Sequence, residues 1–213
     1  LIEEHWLEKY IDRAKQFGAT TAIDIGANVG TWTELMLKKF DRVIAVEPDI
    51  RAYWHLMGKF HGNERVLLFN AAVTRQDGQC ILYTRPDTLQ SSLLANHPIG
   101  AGGRMPAPAQ DTAVVAGMTL DTVLRFARDR FGDIGTMFVK VDVEGAEGDV
   151  LQGATVDEFR AAAWLIEVHD RVAEVGGGLQ KLGYEMVAIV PHPSPAAHPR
   201  HGWVYTEPQN EHS

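Results

Sequence analysis

The sequence holds one cysteine, no long apolar run and no surplus of basic charge. Each shortage excludes a class of protein. Cys80 alone makes no internal disulfide, so the chain is no disulfide-stapled scaffold, and a reducing, cytoplasmic setting is the expectation. It sits in the alternating run Gln79-Cys80-Ile81-Leu82-Tyr83 with no His or basic neighbour, which reads as a strand thiol and not as a nucleophile. No segment approaches the ~20 apolar residues of a membrane-spanning helix. Lys and Arg number 20 against 28 Asp and Glu, a formal charge of −8, which argues against a nucleic-acid partner. The acidic start Leu1-Ile2-Glu3-Glu4-His5-Trp6 is unlike a secretory signal. The chain opens without Met, so a domain cut from a longer chain is expected.

What is present is ordinary globular composition, 45% hydrophobic and 23% charged, in a length that suits one domain over 1–213. Apolar spacing predicts helices over 4–17 (the core of an N-terminal unit, 1–18), 29–40, 52–60, 119–130, 146–159 and 176–182. Short apolar runs predict strands over 21–25, 43–46, 66–69, 79–84, 136–141, 163–168, 184–190 and 203–206. Helices alternate with strands that are apolar on both faces, which indicates a mostly parallel sheet covered on both sides. The last two strands have no helix between them, so an antiparallel strand is expected near the end of the sheet. The stretch 85–112, rich in Pro, Gly and Ala, is too long for a plain connection and is expected to be an acceptor-side loop or lid.

The first strand runs into Asp24-Ile25-Gly26-Ala27-Asn28-Val29-Gly30, a glycine turn at a strand-to-helix junction that lets a ligand approach backbone N–H groups. Glu47 ends the second strand, about 20 residues further on, the spacing at which a carboxylate grips a ribose diol. The turn is G-x-x-x-G and lacks the third glycine of the dinucleotide fingerprint. No tyrosine has a lysine four residues on, as many short-chain dehydrogenases require. S-adenosylmethionine, which carries no phosphate, is therefore favoured over a nicotinamide cofactor.

These runs, with Val46-Glu47-Pro48-Asp49, Asn70-Ala71-Ala72-Val73 and above all Val139-Lys140-Val141-Asp142-Val143-Glu144-Gly145-Ala146-Glu147, resemble the FkbM-type branch of class I S-adenosylmethionine-dependent methyltransferases. Val150-Leu151-Gln152-Gly153-Ala154, Thr119-Leu120-Asp121 and Ile166-Glu167-Val168-His169 extend the resemblance over roughly residues 20–190. It implies a Rossmann-like α/β fold with a seven-stranded, mostly parallel sheet, and O-methyl transfer to a hydroxyl of a sugar, glycan or related small metabolite. The cofactor residues it implies are Asp24, Gly26, Asn28, Gly30, Glu47, Pro48, Asn70, Ala71 and Asp142.

Methyl transfer to a hydroxyl needs alignment and a positioned base, the latter worth ~10²–10⁴-fold. Lys140, Asp142 and Glu144 alternate at one strand end. Lys140 reads either as a structural ion-pair partner or as a catalytic group. His169, ending the next strand, is the expected base because its free pKa lies near neutrality. Ser91, Ser92, His97, Glu144 and His169 are expected on the acceptor side. Asp142, Glu144, Glu167 and His169 also suit a divalent metal; a metal-free site is the expectation. His192, His198 and His201 lack compact zinc spacing and read as a solvated loop. Two other functions stand as alternatives. A nucleic-acid methyltransferase is disfavoured by charge and by the absence of a Pro-Pro or Pro-Cys motif. A non-catalytic S-adenosylmethionine-binding domain would bind the cofactor without turnover.

Overall fold

A computed structural model of the chain describes residues 8–86, 88, 91–95, 109, 111–155, 161–169, 172–191 and 202–208. In chain order it contains α1 (Glu8–Gln16), β1 (Ala19–Ile25), α2 (Thr31–Leu37), β2 (Arg42–Val46), α3 (Ile50–Phe60), β3 (Val66–Phe69), β4 (Ala72–Val73), β5 (Gly78–Thr84), β6 (Asp111–Met118), α4 (Leu120–Phe131), β7 (Thr136–Val141), α5 (Glu147–Gln152), β8 (Ala161–Val168), α6 (Val172–Lys181), β9 (Tyr184–Pro191) and β10 (Gly202–Pro208).

The strands alternate between two apolar faces, as the period of two requires. Ile23, Ile25, Val139, Val141, Trp164 and Ile166 face a core completed by α4, α5 and α6. Ala22, Phe138, Ala163, Leu165, Trp203 and Tyr205 face a second core completed by α1 and α2. Burying one such Ile or Leu contributes about 1.5–3 kcal/mol, so the two cores hold the sheet from both sides. The result is a seven-stranded sheet of order β3-β2-β1-β7-β8-β10-β9. β10 runs antiparallel to both β8 and β9, while β1, β2, β3, β7 and β8 are mutually parallel. This is the expected α/β, Rossmann-like fold with helices on both faces. β1 lies between β2 and β7, so the strand order reverses there, and the carboxyl ends of β1, β2, β7 and β8 share one rim.

A second, three-stranded sheet, β4-β6-β5, stands beside that rim. β4 and β6 were not expected from sequence. β6 is visible only through its partner: Thr84 pairs with Asp111 and Gly78 with Gly117, so the long connection leaves and re-enters a β5–β6 hairpin. The segment expected as a loop over 85–112 thus ends in strand at Asp111.

Several helices differ in extent from expectation. α2 starts at Thr31 because Asn28 and Gly30 occupy left-handed backbone, with φ of 47° and 86°. α3 starts two residues early because the Asp49 side chain accepts from Arg51 N at 3.0 Å and caps it. α5 stops at Gln152 because Gly153 presses on the chain before β5; a Cβ there would stand 2.3 Å from Thr74 O. α6 begins at Val172 and runs through three glycines, of which Gly178 lets the helix close on Leu151.

Candidate active site

The glycine turn after β1 is shaped by contact with β7. Gly26 has φ 76°, and a Cβ on it would lie 1.8 Å from the Asp142 carbonyl oxygen. Only glycine lets the turn cross beneath the end of β7. Gly26 N and Ala27 N donate to Val46 O at 3.0 and 3.1 Å, which ties the turn to β2. Glu47 then reaches back beneath it. Its Oε2 accepts from Asn28 N at 2.8 Å and its Oε1 from Asp49 N at 2.7 Å. Glu47 is only 5% exposed. Burial raises its pKa to about 7, although both backbone bonds favour the ionised form.

Across the cleft, β7 and β8 deliver charge. Lys140, 1% exposed, lies under the turn. Its Nζ donates to Gly26 O at 3.1 Å and stands 3.3 Å from both Asp24 Oδ1 and Asp142 Oδ2. Burial pulls this ammonium down, but Asp142, Asp24 and Glu167 outweigh it and hold the pKa above its ordinary value. Thr33 Oγ1 donates to Asp24 Oδ2 at 2.7 Å. Burial and the neighbouring Asp142 charge push the Glu167 pKa well up, whereas Lys140 and His169 hold Asp142 down against burial.

His169 is enclosed by carboxylates. Nδ1 is 2.9 Å from Glu147 Oε1, and Nε2 is 3.4 Å from Glu144 Oε2. Glu147 Oε1 also accepts from Gly145 N at 2.9 Å. Burial alone would lower the imidazole pKa, but Glu144, Glu147 and Glu167 raise it to about 10. These carboxylates favour the protonated imidazole, which weighs against His169 as the base.

The cleft between these halves holds about 580 Å³ of empty space, counting the part that is open to solvent. Gly26, Asn28, Glu47 and Pro48 line one side, Asp142 and Glu144 the other, with Ala71 between. Three carboxylates and no Lys or Arg stand among its described lining. Ser91 and Ser92 lie on its wall, but their hydroxyls are engaged: Ser91 Oγ donates to Asp49 Oδ2 at 2.8 Å and Ser92 Oγ to Glu144 O at 2.6 Å. Both were expected on the acceptor side, and both line the cleft while bonding to protein partners.

Four further residues singled out in the sequence make contacts within the protein. Asp24 and Lys140 lie beneath the turn as a buried ion pair outside the cleft lining, which favours the structural of the two readings of Lys140. Gly30 serves packing, since a Cβ there would meet Leu56 and Phe60 at 2.7 Å. Asn70 caps the end of β2, donating to Glu47 O at 2.9 Å and Pro48 O at 3.1 Å. His97, His192, His198 and His201 lie outside the described residues. Sequence reasoning missed the bond from Glu147 to His169, the hydroxyl of Thr88 on the cleft wall, and Arg85. Arg85 is a buried guanidinium that burial pulls down and Glu144 pulls back up. The only signal for Arg85 was its place at the end of β5. Asp142, Glu144 and His169 bring ligand atoms within 4.8 Å of one another, a donor set able to take a divalent cation. Among the described residues no helix is long and apolar enough to cross a membrane.

A doubly covered sheet with its cleft at the strand-order reversal, a glycine turn and a buried acid ending β2 define a Rossmann-like domain of the class that binds a cofactor through its ribose. The profile of the methyltransferase FkbM domain matches residues 24–201, and the chain belongs to that family. Among solved structures it is similar to methyltransferase FkbM from Methylobacillus flagellatus KT, at 17% identity and a TM-score of 0.56. That match covers 88% of this chain and 43% of the other, so the present chain spans less than half of that relative's length. It is also similar to a putative S-adenosylmethionine-dependent methyltransferase from Listeria monocytogenes (10% identity, TM-score 0.53, 98% and 97% covered). A third is the 1,6-didemethyltoxoflavin-N1-methyltransferase of Burkholderia thailandensis with bound S-adenosylhomocysteine (12% identity, TM-score 0.50, 98% and 80% covered). A search of curated protein sequences returns no match.

Proposed function

We propose that this domain transfers a methyl group from S-adenosylmethionine to a hydroxyl of a sugar, glycan or related small metabolite. The observation that carries the reading is one cleft bounded by the buried Glu47 on one side and by Asp142 and Glu144 on the other. The residues fit the cofactor. Glu47, fixed by two backbone donors, keeps further lone pairs for a ribose diol. Ala71, Val73 and Leu82 offer an apolar wall suited to adenine. Bound S-adenosylmethionine supplies an electrophilic methyl group on a sulfonium.

The chain's own part is to align and to take a proton. Asp142 and Glu144 place negative charge beside the cationic sulfonium. Glu144 is the proposed base: its carboxylate accepts the hydroxyl proton as the C–O bond forms and the S–CH₃ bond breaks, leaving a neutral thioether. The His169 imidazolium, steadied by Glu147, orients that carboxylate. An acidic cleft wall without Lys or Arg among its described lining supports a neutral acceptor over a nucleic acid.

The test is incubation of the protein with labelled S-adenosylmethionine and a panel of sugars, glycans and hydroxylated metabolites, read by mass spectrometry for the gain of one CH₂ unit. A parallel arm contains a chelator, and another contains RNA. Label on a hydroxyl supports the reading. Label on RNA alone, or cofactor binding without transfer to any acceptor, would sink it in favour of one of the two alternatives. Loss of transfer in the chelator arm would assign a cation to the Asp142, Glu144 and His169 set.

A further inference from the structure

Between the two halves of the cleft runs the segment that follows β5. Ser91 and Ser92 are adjacent on it, and their hydroxyls point to opposite sides, as neighbouring residues of an extended chain do. Ser91 Oγ donates to Asp49 Oδ2 at 2.8 Å. Asp49 is buried, caps α3, and gives its own N–H to Glu47 Oε1. Ser92 Oγ donates to Glu144 O at 2.6 Å and accepts from Leu94 N at 3.1 Å, which commits the hydroxyl in both directions. The backbone of Ser92 is bonded twice to Tyr83, at 2.8 and 3.1 Å, so it is anchored to the edge of β5.

Glu144 needs such an anchor. Its φ of 54° is a left-handed conformation that a glutamate rarely adopts. The carbonyl that Ser92 holds belongs to that residue, and the next, Gly145, also has positive φ. Fixing the carbonyl fixes the direction in which the Glu144 side chain leaves the backbone. Ser92 is only 1% exposed, so water does not readily replace its hydroxyl.

We propose that Ser92 is a positioning residue for Glu144, and that Ser91 and Ser92 together clasp the acceptor-side carboxylate to the cofactor-side turn. Glu47, Asp49, Ser91, Ser92 and Glu144 form one continuous set of bonded neighbours across the cleft. This rests on the reading of Glu144 as the base of a hydroxyl methyltransferase.

The experiment compares Ser92→Ala, Ser92→Thr and Ser91→Ala in the full chain. Three measurements are made: the affinity for S-adenosylhomocysteine by calorimetry, amide hydrogen exchange at Glu144 and Gly145, and kcat and KM with an acceptor. Ser92→Ala is expected to speed exchange at Glu144 and Gly145 by about tenfold and to lower kcat by a similar factor, with cofactor affinity within about twofold of the parent. Ser92→Thr keeps the hydroxyl and is expected to restore slow exchange. Ser91→Ala is expected to weaken cofactor affinity by about fivefold, because it frees the Asp49 side of the clasp. The proposal is overturned if Ser92→Ala leaves exchange unchanged, or if it lowers cofactor affinity as much as it lowers kcat. Exchange and calorimetry need no turnover. If no hydroxyl acceptor is ever methylated the functional reading fails, while these two measurements still decide the clasp.

Discussion

Asn28 and Asp49 hold Glu47 through backbone N–H groups, whereas Glu144 and Glu147 meet His169 through side chains alone. The cofactor side of the cleft is therefore built from chain path: two left-handed glycines, a strand end and one carboxylate. The proposed acceptor side is built from charge, where neighbouring charges shift the protonation of Lys140, Asp142, Glu167 and His169. Backbone recognition suits a ligand of constant shape. A mutually dependent set of charges suits chemistry in which a proton changes hands, and it makes each member's role depend on the others.

The variant expected to disturb the molecule most attacks the charge network. Lys140→Met removes the cation between Asp24 and Asp142 and leaves buried carboxylates uncompensated, a loss of about 3–5 kcal/mol. Urea unfolding should register it, and adding Asp24→Asn should recover part of the loss. Recovery of nothing would mean that the two residues are not an electrostatic unit. Gly26→Ala tests the side built from chain path. A left-handed alanine and a Cβ 1.8 Å from Asp142 O should together cost about 2–4 kcal/mol and abolish measurable cofactor binding in calorimetry.

Glu47→Gln should leave the fold intact and weaken cofactor affinity by about 10–100-fold, because it removes charge-assisted bonds to the ribose diol. In the parent protein cofactor affinity should fall as pH drops below about 7, where Glu47 takes up its proton; the variant should lose that dependence. If Glu47→Gln changed turnover and spared affinity, the division between the two sides would break.

The smallest effect is a matter of pH windows. Glu47 and His169 both bind protons more tightly folded than unfolded, so each stabilises below its unfolded pKa and the contribution is lost as pH rises through the folded one. For Glu47 the window runs from 4.5 to about 7, and for His169 from 6.5 to about 10. Thermal melts across pH should show stability falling through both windows in the parent. Glu47→Gln should flatten the lower window and His169→Gln the upper one. An unchanged upper slope in His169→Gln would contradict the imidazolium assignment.

The fold was largely legible in the sequence. Strands apolar on both faces and the missing helix between the last two strands led to the mostly parallel sheet, with its antiparallel β10. The places of Gly26 and Glu47 at the ends of β1 and β2 were legible too, because they follow from where the chain turns. β6 was not legible, since Asp111–Met118 becomes a strand only by pairing with β5 across the long connection. The bonds of Ser91 and Ser92 were not legible, because nothing in the sequence places Asp49 and Glu144 against them.

By itself the sequence determined the layering of the sheet, the rim on which the ligands belong and the acid that ends β2, because periodicity and turn chemistry are local properties of the chain. Tertiary structure alone decided which way each pKa moves. His169 has an ordinary pKa near neutrality in isolation, and it rises only when Glu144 and Glu147, more than twenty residues earlier in the chain, close around it. A pKa is set by what surrounds the group, and those surroundings do not exist until the chain has folded.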